Sequence, residues 1–219
     1  MANRQLPDWA DFVSRETLFV NAIRLRHFIW TIERHVPLPA TILEAGFGSG
    51  TTAVLLADMG YRVTAVDLNQ DLVRRVTERY EPWVRGGRLA VQQADMFQLP
   101  WDSPTFDLAY HQGVLEHFPD EQVVAALQQQ CRVAKRVIFD VPNSRYDSQP
   151  YGDERLLPIS HWRRLIQSAG LRVREVVGRS FRPWTVLLPY ALFSHRGVAR
   201  LPGVSSALSC VSIFVCEPA

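Results

Sequence analysis

Lysine is nearly missing from this 219-residue chain: Lys135 stands alone among 24 basic residues, and arginine supplies the rest. Against 22 acidic residues the net charge is only +2. The arginines are spread along the chain, with pairs at Arg74-Arg75 and Arg163-Arg164 on helical patterns. A nucleic-acid binder gathers its cations into a stripe, whereas these read as solvated helix faces. A small-molecule partner is therefore expected rather than a nucleic acid. Cysteine is scarce too. Cys131, Cys210 and Cys216 are odd in number and form no C-x-x-C, so neither a disulfide framework nor a zinc site is indicated, and no metal is expected. No apolar run approaches the ~20 residues of a membrane span, and residues 1–8 lack the apolar core of a signal peptide. A cytoplasmic protein is the expectation. With 47% hydrophobic and 21% charged residues the chain can bury one sizeable core, and one domain is expected.

Three glycines stand out among what is present. Thr41-Ile42-Leu43-Glu44-Ala45 is a short apolar run ending near an acid, and Gly46, Gly48 and Gly50 follow at alternate positions before a helical pattern. Glycines so spaced let the backbone turn sharply and let a ligand lie against it where a Cβ would collide. The dinucleotide fingerprint places its third glycine where Thr51 stands here, so the loop is G-x-G-x-G instead. The next strand pattern ends at Asp67, followed by Leu68, and a carboxylate there can accept hydrogen bonds from both ribose hydroxyls. Nicotinamide enzymes use such an acid as well. The third strand pattern ends in Ala94-Asp95-Met96, an acid able to take an adenine amino group beside an apolar side chain able to cover the ring. Phe106 to Phe118 then reads FDLAYHQGVLEHF.

From Pro39 onward strands and helices alternate. Strands are expected at 41–45, 61–66, 88–93, 105–110 and 135–140, with helices at 50–59, 69–80 and 120–132. This pattern implies right-handed crossovers and a parallel sheet. Ligands on such sheets sit at the carboxyl ends of the strands. Glu44, Asp67, Asp95 and His111 all lie at or just past those ends. Apolar residues from Phe12 to Ile32 at three and four spacings suggest one or two helices ahead of the first strand. Beyond residue 140, a helix over 159–169 with Ser160 as a candidate cap, a strand over 171–177 and a last strand over 207–216 are expected.

In order and content these motifs resemble the class I S-adenosylmethionine-dependent methyltransferases, specifically the small-molecule enzymes with E/D-x-G-x-G-x-G, a ribose acid, an A-D adenine signature and an F-D-x-V-x-x-x-x-V-L-x-H segment. The resemblance covers roughly residues 40 to 178. It implies an α/β, Rossmann-like fold: a seven-stranded, mostly parallel sheet with helices on both faces and the last strand antiparallel. It divides a single domain into an N-terminal helical cover (1–39), a cofactor-binding core (40–178), an insertion (179–206) and the last strand (207–219). It also implies S-adenosyl-L-methionine as cofactor and S-adenosyl-L-homocysteine as product. Glu44, Gly46, Phe47, Gly48 and Gly50 would meet the amino-acid part, Asp67 and Leu68 the ribose, Asp95 and Met96 the adenine, and His111 and Gln112 the methionine portion. One departure is local: where the family often has a proline and two glycines before its fifth strand, this chain runs Gln130 to Arg136 straight into Val137.

Methyl transfer from a sulfonium is an in-line displacement for which the protein aligns the nucleophile and excludes water. The expected acceptor is an oxygen or nitrogen of a partly apolar metabolite. A base helps a hydroxyl or protonated amine, and His111 and His117 are the candidates. His117 could equally serve as a structural hydrogen-bonder in its turn. Substrate contacts are expected from Asn143, Tyr146 and Tyr151 in the loop after the fifth strand, and from Trp184 and Tyr190 in the aromatic insertion. That insertion could form a lid, a face for a homodimer or a membrane contact. A nicotinamide-dependent oxidoreductase and a non-catalytic, cofactor-binding partner subunit are the alternatives. No D-P-P-Y or N-P-P-Y follows the fourth strand, as enzymes methylating DNA bases carry; His111-Gln112-Gly113-Val114 stands there instead.

Overall fold

A computed structural model describes residues 17–146, 152–181 and 209–219. Strands β1 (Thr41–Ala45), β2 (Arg62–Asp67), β3 (Leu89–Gln93), β4 (Leu108–Gln112) and β5 (Val137–Pro142) pair in parallel. β7 (Ser209–Pro218) runs antiparallel to both β5 and β6 (Leu171–Phe181), which completes a seven-stranded sheet in the order β3-β2-β1-β4-β5-β7-β6. The helices are α1 (Leu18–His35), α2 (Thr51–Asp58), α3 (Gln70–Arg79), α4 (Glu81–Arg85), α5 (Asp120–Val133) and α6 (Ile159–Ser168). The expected fold class is the observed one.

The boundaries carry the differences. β4 starts later than expected because Phe106 bonds instead with the end of α5: its N–H donates to the Val133 carbonyl, and its carbonyl accepts from Lys135. The short helix α4, with Pro82 in its first turn, was not legible as a helix. Pro158, not Ser160, precedes the first residue of α6, and Gly170 at φ +79° ends it. β6 continues to Phe181, beyond the expected core boundary at 178, because it pairs along its length with β7 as far as Ser209. Most of the insertion, at 182–206, lies outside the described residues, as do residues 1–16.

A strand turns alternate side chains to opposite faces, and here both faces are covered. Ile42, Tyr110, Ile138, Val177, Ile213 and Val215 pack on one face with Phe28 and Ile32 of α1 and Val54 of α2. Val137, Phe139, Val141 and Phe214 pack on the other with Leu127 of α5 and with Trp162 and Ile166 of α6. All but Val54 and Val141, at 1% exposure each, and Val177, also 1%, are at 0%. Each such aliphatic or aromatic side chain contributes about 1.5–3 kcal/mol by leaving water. The alternation also sets the site. Glu44, Tyr110, Gln112, Asp140 and Arg179 follow the parity of the first set, so they belong to the α1/α2 face. Glu44 is paired in register with Tyr110, and Gln112 with Asp140, which aligns them in a row at the strand ends.

Candidate functional site

The loop between β1 and α2 turns through three left-handed residues, Gly46 (φ +79°), Gly48 (φ +52°) and Gly50 (φ +66°). Two of them are also crowded. A Cβ on Gly50 would stand 2.6 Å from Val76 Cγ1, and one on Gly46 would stand 3.2 Å from Val114 Cγ2. The bend is held by the Gly46 N–H donating to the Val66 carbonyl (2.8 Å) and the Gly50 N–H donating to the Phe47 carbonyl (2.9 Å). Phe47 is 4% exposed and packs into the core. Only its backbone is available to a ligand.

Acids stand on either side of this bend. Glu44 is buried, its Oε2 has no hydrogen-bond partner, and burial pushes its carboxyl up to about 8. The neighbouring Asp67 charge pushes the same way, and Tyr110 and the Ala53 amide oppose it. Asp67 at the β2 tip accepts hydrogen bonds from the Asn69 N–H (3.0 Å, Oδ1) and the Gly48 N–H (3.4 Å, Oδ2). Its carboxyl is also raised by burial, with these amides acting against the shift. Leu68 beside it is 66% exposed, an apolar side chain open to cover a ligand. The Asp95 carboxylate accepts from the Phe97 N–H (2.8 Å), so its turn folds back on itself at the β3 tip with Met96 half-buried.

A polar relay joins the loop to its neighbours. Asn21 of α1 donates to Thr51 Oγ1 (2.9 Å), Thr52 donates to Gln112 Oε1 (2.7 Å), and Gln112 Nε2 donates to Asp140 Oδ2 (3.4 Å). Asn21, Thr51 and Thr52 gave no signal in the sequence beyond the helix pattern. Their pairing depends on how α1 lies against α2.

Two expectations are corrected. His111 does not share the face of Glu44, Tyr110 and Gln112. It follows the parity of Ala109, opposite to Tyr110 and Gln112, stacks on Phe139 (5.0 Å between ring centres) and is fully buried. Burial drives its pKa down to about 3, so the ring is a very weak base. Asn143 is equally closed off. At 0% exposure its Nδ2 donates to the Ser209 carbonyl (3.1 Å) and Ser212 Oγ (3.0 Å), and its Oδ1 accepts from the Arg145 N–H. It fastens β5 to β7 and has no polar atom left for a substrate. His117 lies in the turn after β4 with Nδ1 2.8 Å from Asp153 Oδ1, and Tyr146 is half-buried with its N–H donating to the Asn143 carbonyl. Tyr151, Trp184 and Tyr190 lie outside the described residues. Among the described residues no helix is long and apolar enough to cross a membrane.

The family model of a methyltransferase domain matches residues 42–136, the stretch that builds the loop, the three acids and the β4 turn. A protein of Mycolicibacterium smegmatis named a probable S-adenosylmethionine-dependent methyltransferase is 29% identical over 146 residues, 63% of this chain and 54% of that one. The 2-methyl-6-phytyl-1,4-hydroquinone methyltransferase of Synechocystis is 29% identical over 157 residues, 69% of this chain and 44% of that one. The matched stretch thus spans about half the length of these relatives. The crystal structure of a SAM-dependent methyltransferase from Aquifex aeolicus superposes with a TM-score of 0.67 at 15% identity, over 96% of this chain and 98% of that one, which shows the shared fold. Residues 42–136 thus match a methyltransferase domain, and in motif order and fold the chain is similar to the class I S-adenosylmethionine-dependent methyltransferases.

Proposed function

We propose that this chain transfers a methyl group from S-adenosyl-L-methionine to an oxygen or nitrogen of a partly apolar small molecule. The observation that carries the reading is the glycine bend: three left-handed residues at the β1 tip, packed so closely that a Cβ at Gly50 would strike Val76, flanked by buried Glu44 with its unpartnered Oε2 and by half-buried Asp67. That cradle fits the cofactor. When bound, the cofactor supplies a methyl group already activated as a sulfonium substituent.

The residues do the rest by position and charge. Glu44 sits where it can ionise against the cofactor's ammonium, since a nearby cation favours the carboxylate that burial disfavours. Asp67 keeps acceptor capacity for two hydroxyls while two backbone amides fix its orientation. Leu68 and Met96 offer apolar contact near the adenine acid, Asp95. Gln112, held between Thr52 and Asp140, fixes the β4 tip and would meet the methionine portion. Holding acceptor and donor in line supplies on the order of 7–11 kcal/mol of the barrier, so a strong base is not required. His117 is the histidine that remains for that role. Its pairing with Asp153 would orient the ring.

The Synechocystis relative's name describes a ring bearing a long apolar chain, which supports a partly apolar acceptor here. Calorimetric titration with S-adenosyl-L-homocysteine and with NAD tests the cofactor: micromolar binding of the first and none of the second is expected, and the reverse overturns the reading. Transfer of tritium from methyl-labelled cofactor into fractionated metabolite extracts tests turnover. Cofactor binding without transfer into any fraction would favour the non-catalytic subunit.

A further inference from the structure

Beyond the glycine bend, a second buried acid lies in the turn just past the β4 tip. Glu116, in the turn Leu115–His117, is 4% exposed. Its Oε1 lies 3.6 Å from where a Gly113 Cβ would stand, and the intervening Val114 packs on Gly46 of the cofactor bend. The charged groups that face it are Asp140 from β5, Glu154 from the loop before α6 and Arg179 from β6.

Most of this cluster is already paired. Arg179 Nε donates to Asp140 Oδ2 (2.6 Å), Gln112 reaches the same oxygen, and Glu154 accepts from the Gly152 N–H (2.9 Å). Two acceptors are left without a donor: Glu116 Oε2 and, on a residue 1% exposed, Asp140 Oδ1. Buried acceptors are ordinarily satisfied. With Glu116 ionised, it and Asp140 carry one more negative charge than Arg179 offsets, so this pair lacks positive charge as well as donors. Burial answers part of that by holding Glu116 up to about 8, with Asp140 and Glu154 adding and Arg179 opposing.

The shortage discriminates among occupants. A neutral hydroxyl brings a single donor and no charge. A divalent ion needs several ligands together, and among the described residues no group of three or more such side chains could hold one. An ammonium brings up to three donors and one positive charge. We propose that Glu116 Oε2 and Asp140 Oδ1 form a subsite for a cationic amine on the methyl acceptor. The proposal narrows the substrate class within the reading above and rests on the glycine bend holding the methyl donor.

The test titrates phenethylamine and its neutral counterpart 2-phenylethanol into the full chain saturated with S-adenosyl-L-homocysteine. Saturable amine binding, with little for the alcohol, is expected. Glu116→Gln should weaken the amine by about 10- to 100-fold, as for loss of a charged hydrogen bond, and leave the nucleoside affinity unchanged. A readout on the native chain avoids dependence on that variant's folding. At pH 7 the amine, titrating near pH 10, keeps its proton while Glu116 loses one. Calorimetry in buffers of different ionisation enthalpy should therefore report close to one proton released, with affinity rising from pH 6 to 8. Equal binding of amine and alcohol, no saturable amine binding, or no proton release overturns the subsite alone. So does Mg²⁺ binding more tightly than the amine and lost in Glu116→Gln. Failure of the native chain to bind S-adenosyl-L-homocysteine overturns the cofactor reading and the subsite with it.

Discussion

Glu44 after the middle of β1 and Glu116 after β4 are both buried carboxyls held at about 8 by desolvation, each with an unpartnered Oε2, yet their company differs. Glu44 stands beside a backbone bend whose geometry three glycines dictate, and Asp67 is the acid that bears on it. Glu116 stands in a side-chain cluster drawn from β5, β6 and a loop, where Arg179 offsets part of the charge. The first region is shaped mainly by main chain, and main-chain demands leave marks in sequence. The second is built of side chains brought together only by the fold.

The largest expected effect tests the second region. Arg179 and Asp140 form a pair with side-chain exposures of 14% and 1%. Removing one partner of a buried pair strands the other, so Arg179→Met should lower stability by about 3–5 kcal/mol. The urea midpoint should fall, while S-adenosyl-L-homocysteine affinity, measured where the variant is folded, should hold. A parallel loss of that affinity would mean that the two regions are one. Next in size, Asp67→Ala should weaken the same ligand by about 1.5–3 kcal/mol through lost charged hydrogen bonds. Unchanged affinity by calorimetry would remove Asp67 from the site and with it the division drawn here.

That division also explains what could be read in advance. The order of strands and helices, the glycine bend and the placing of Glu44, Asp67 and Asp95 at or just past strand ends follow from local rules: period two, period 3.6 and the need for left-handed backbone at Gly46, Gly48 and Gly50. The parity of β4 was the point of failure. A buried parallel strand is apolar on both faces, so LAYHQ does not reveal which of Tyr110, His111 and Gln112 looks toward the ligand. His111 fell on the wrong side for that reason, and the register with Glu44 decided it. Asn143 looked like a loop residue because its partners, Ser209 and Ser212, are more than sixty residues away. Glu116 hid inside a recognisable Glu-His-Phe turn, since its isolation depends on β5 and β6.

A pH series separates the two glutamates. Each has a folded pKa of about 8 against 4.5 for the free side chain, so the folded chain holds more protons across that window. Their stabilising contribution is fully present below about 4.5 and is lost as pH rises through about 8, at up to about 1.4 kcal/mol per pH unit for each group. The melting temperature without ligand should therefore fall from pH 5 to 8, less steeply in Glu44→Gln or Glu116→Gln. S-adenosyl-L-methionine should remove Glu44's share of that slope and leave Glu116's, because its cation favours the Glu44 carboxylate. Proton release on binding at pH 7 should vanish in Glu44→Gln and persist in Glu116→Gln. Persistence in both would place the titrating acid elsewhere.

The smallest effect is expected far from both acids, in the turn where this chain departs from its family. Lys135 and Arg136 occupy the place of the usual proline and glycines. Lys135 Nζ donates to Asp107 Oδ1 (2.8 Å), and Arg136 donates to the His35 carbonyl, tying β5 and α1 together beneath the sheet. The Lys135 ammonium, with help from the Thr41 amide, holds the Asp107 carboxyl below its usual range. The lysine side chain is nevertheless 71% exposed, so water and salt screen the pair. Lys135→Ala should cost less than about 1 kcal/mol, and its effect should shrink further at 1 M salt. Because the turn lies at the amino ends of the strands, cofactor affinity should not move. A larger loss, or any change in ligand binding, would show that this cationic turn sets the spacing of α5 and β5 and so reaches the site through the length of the strand.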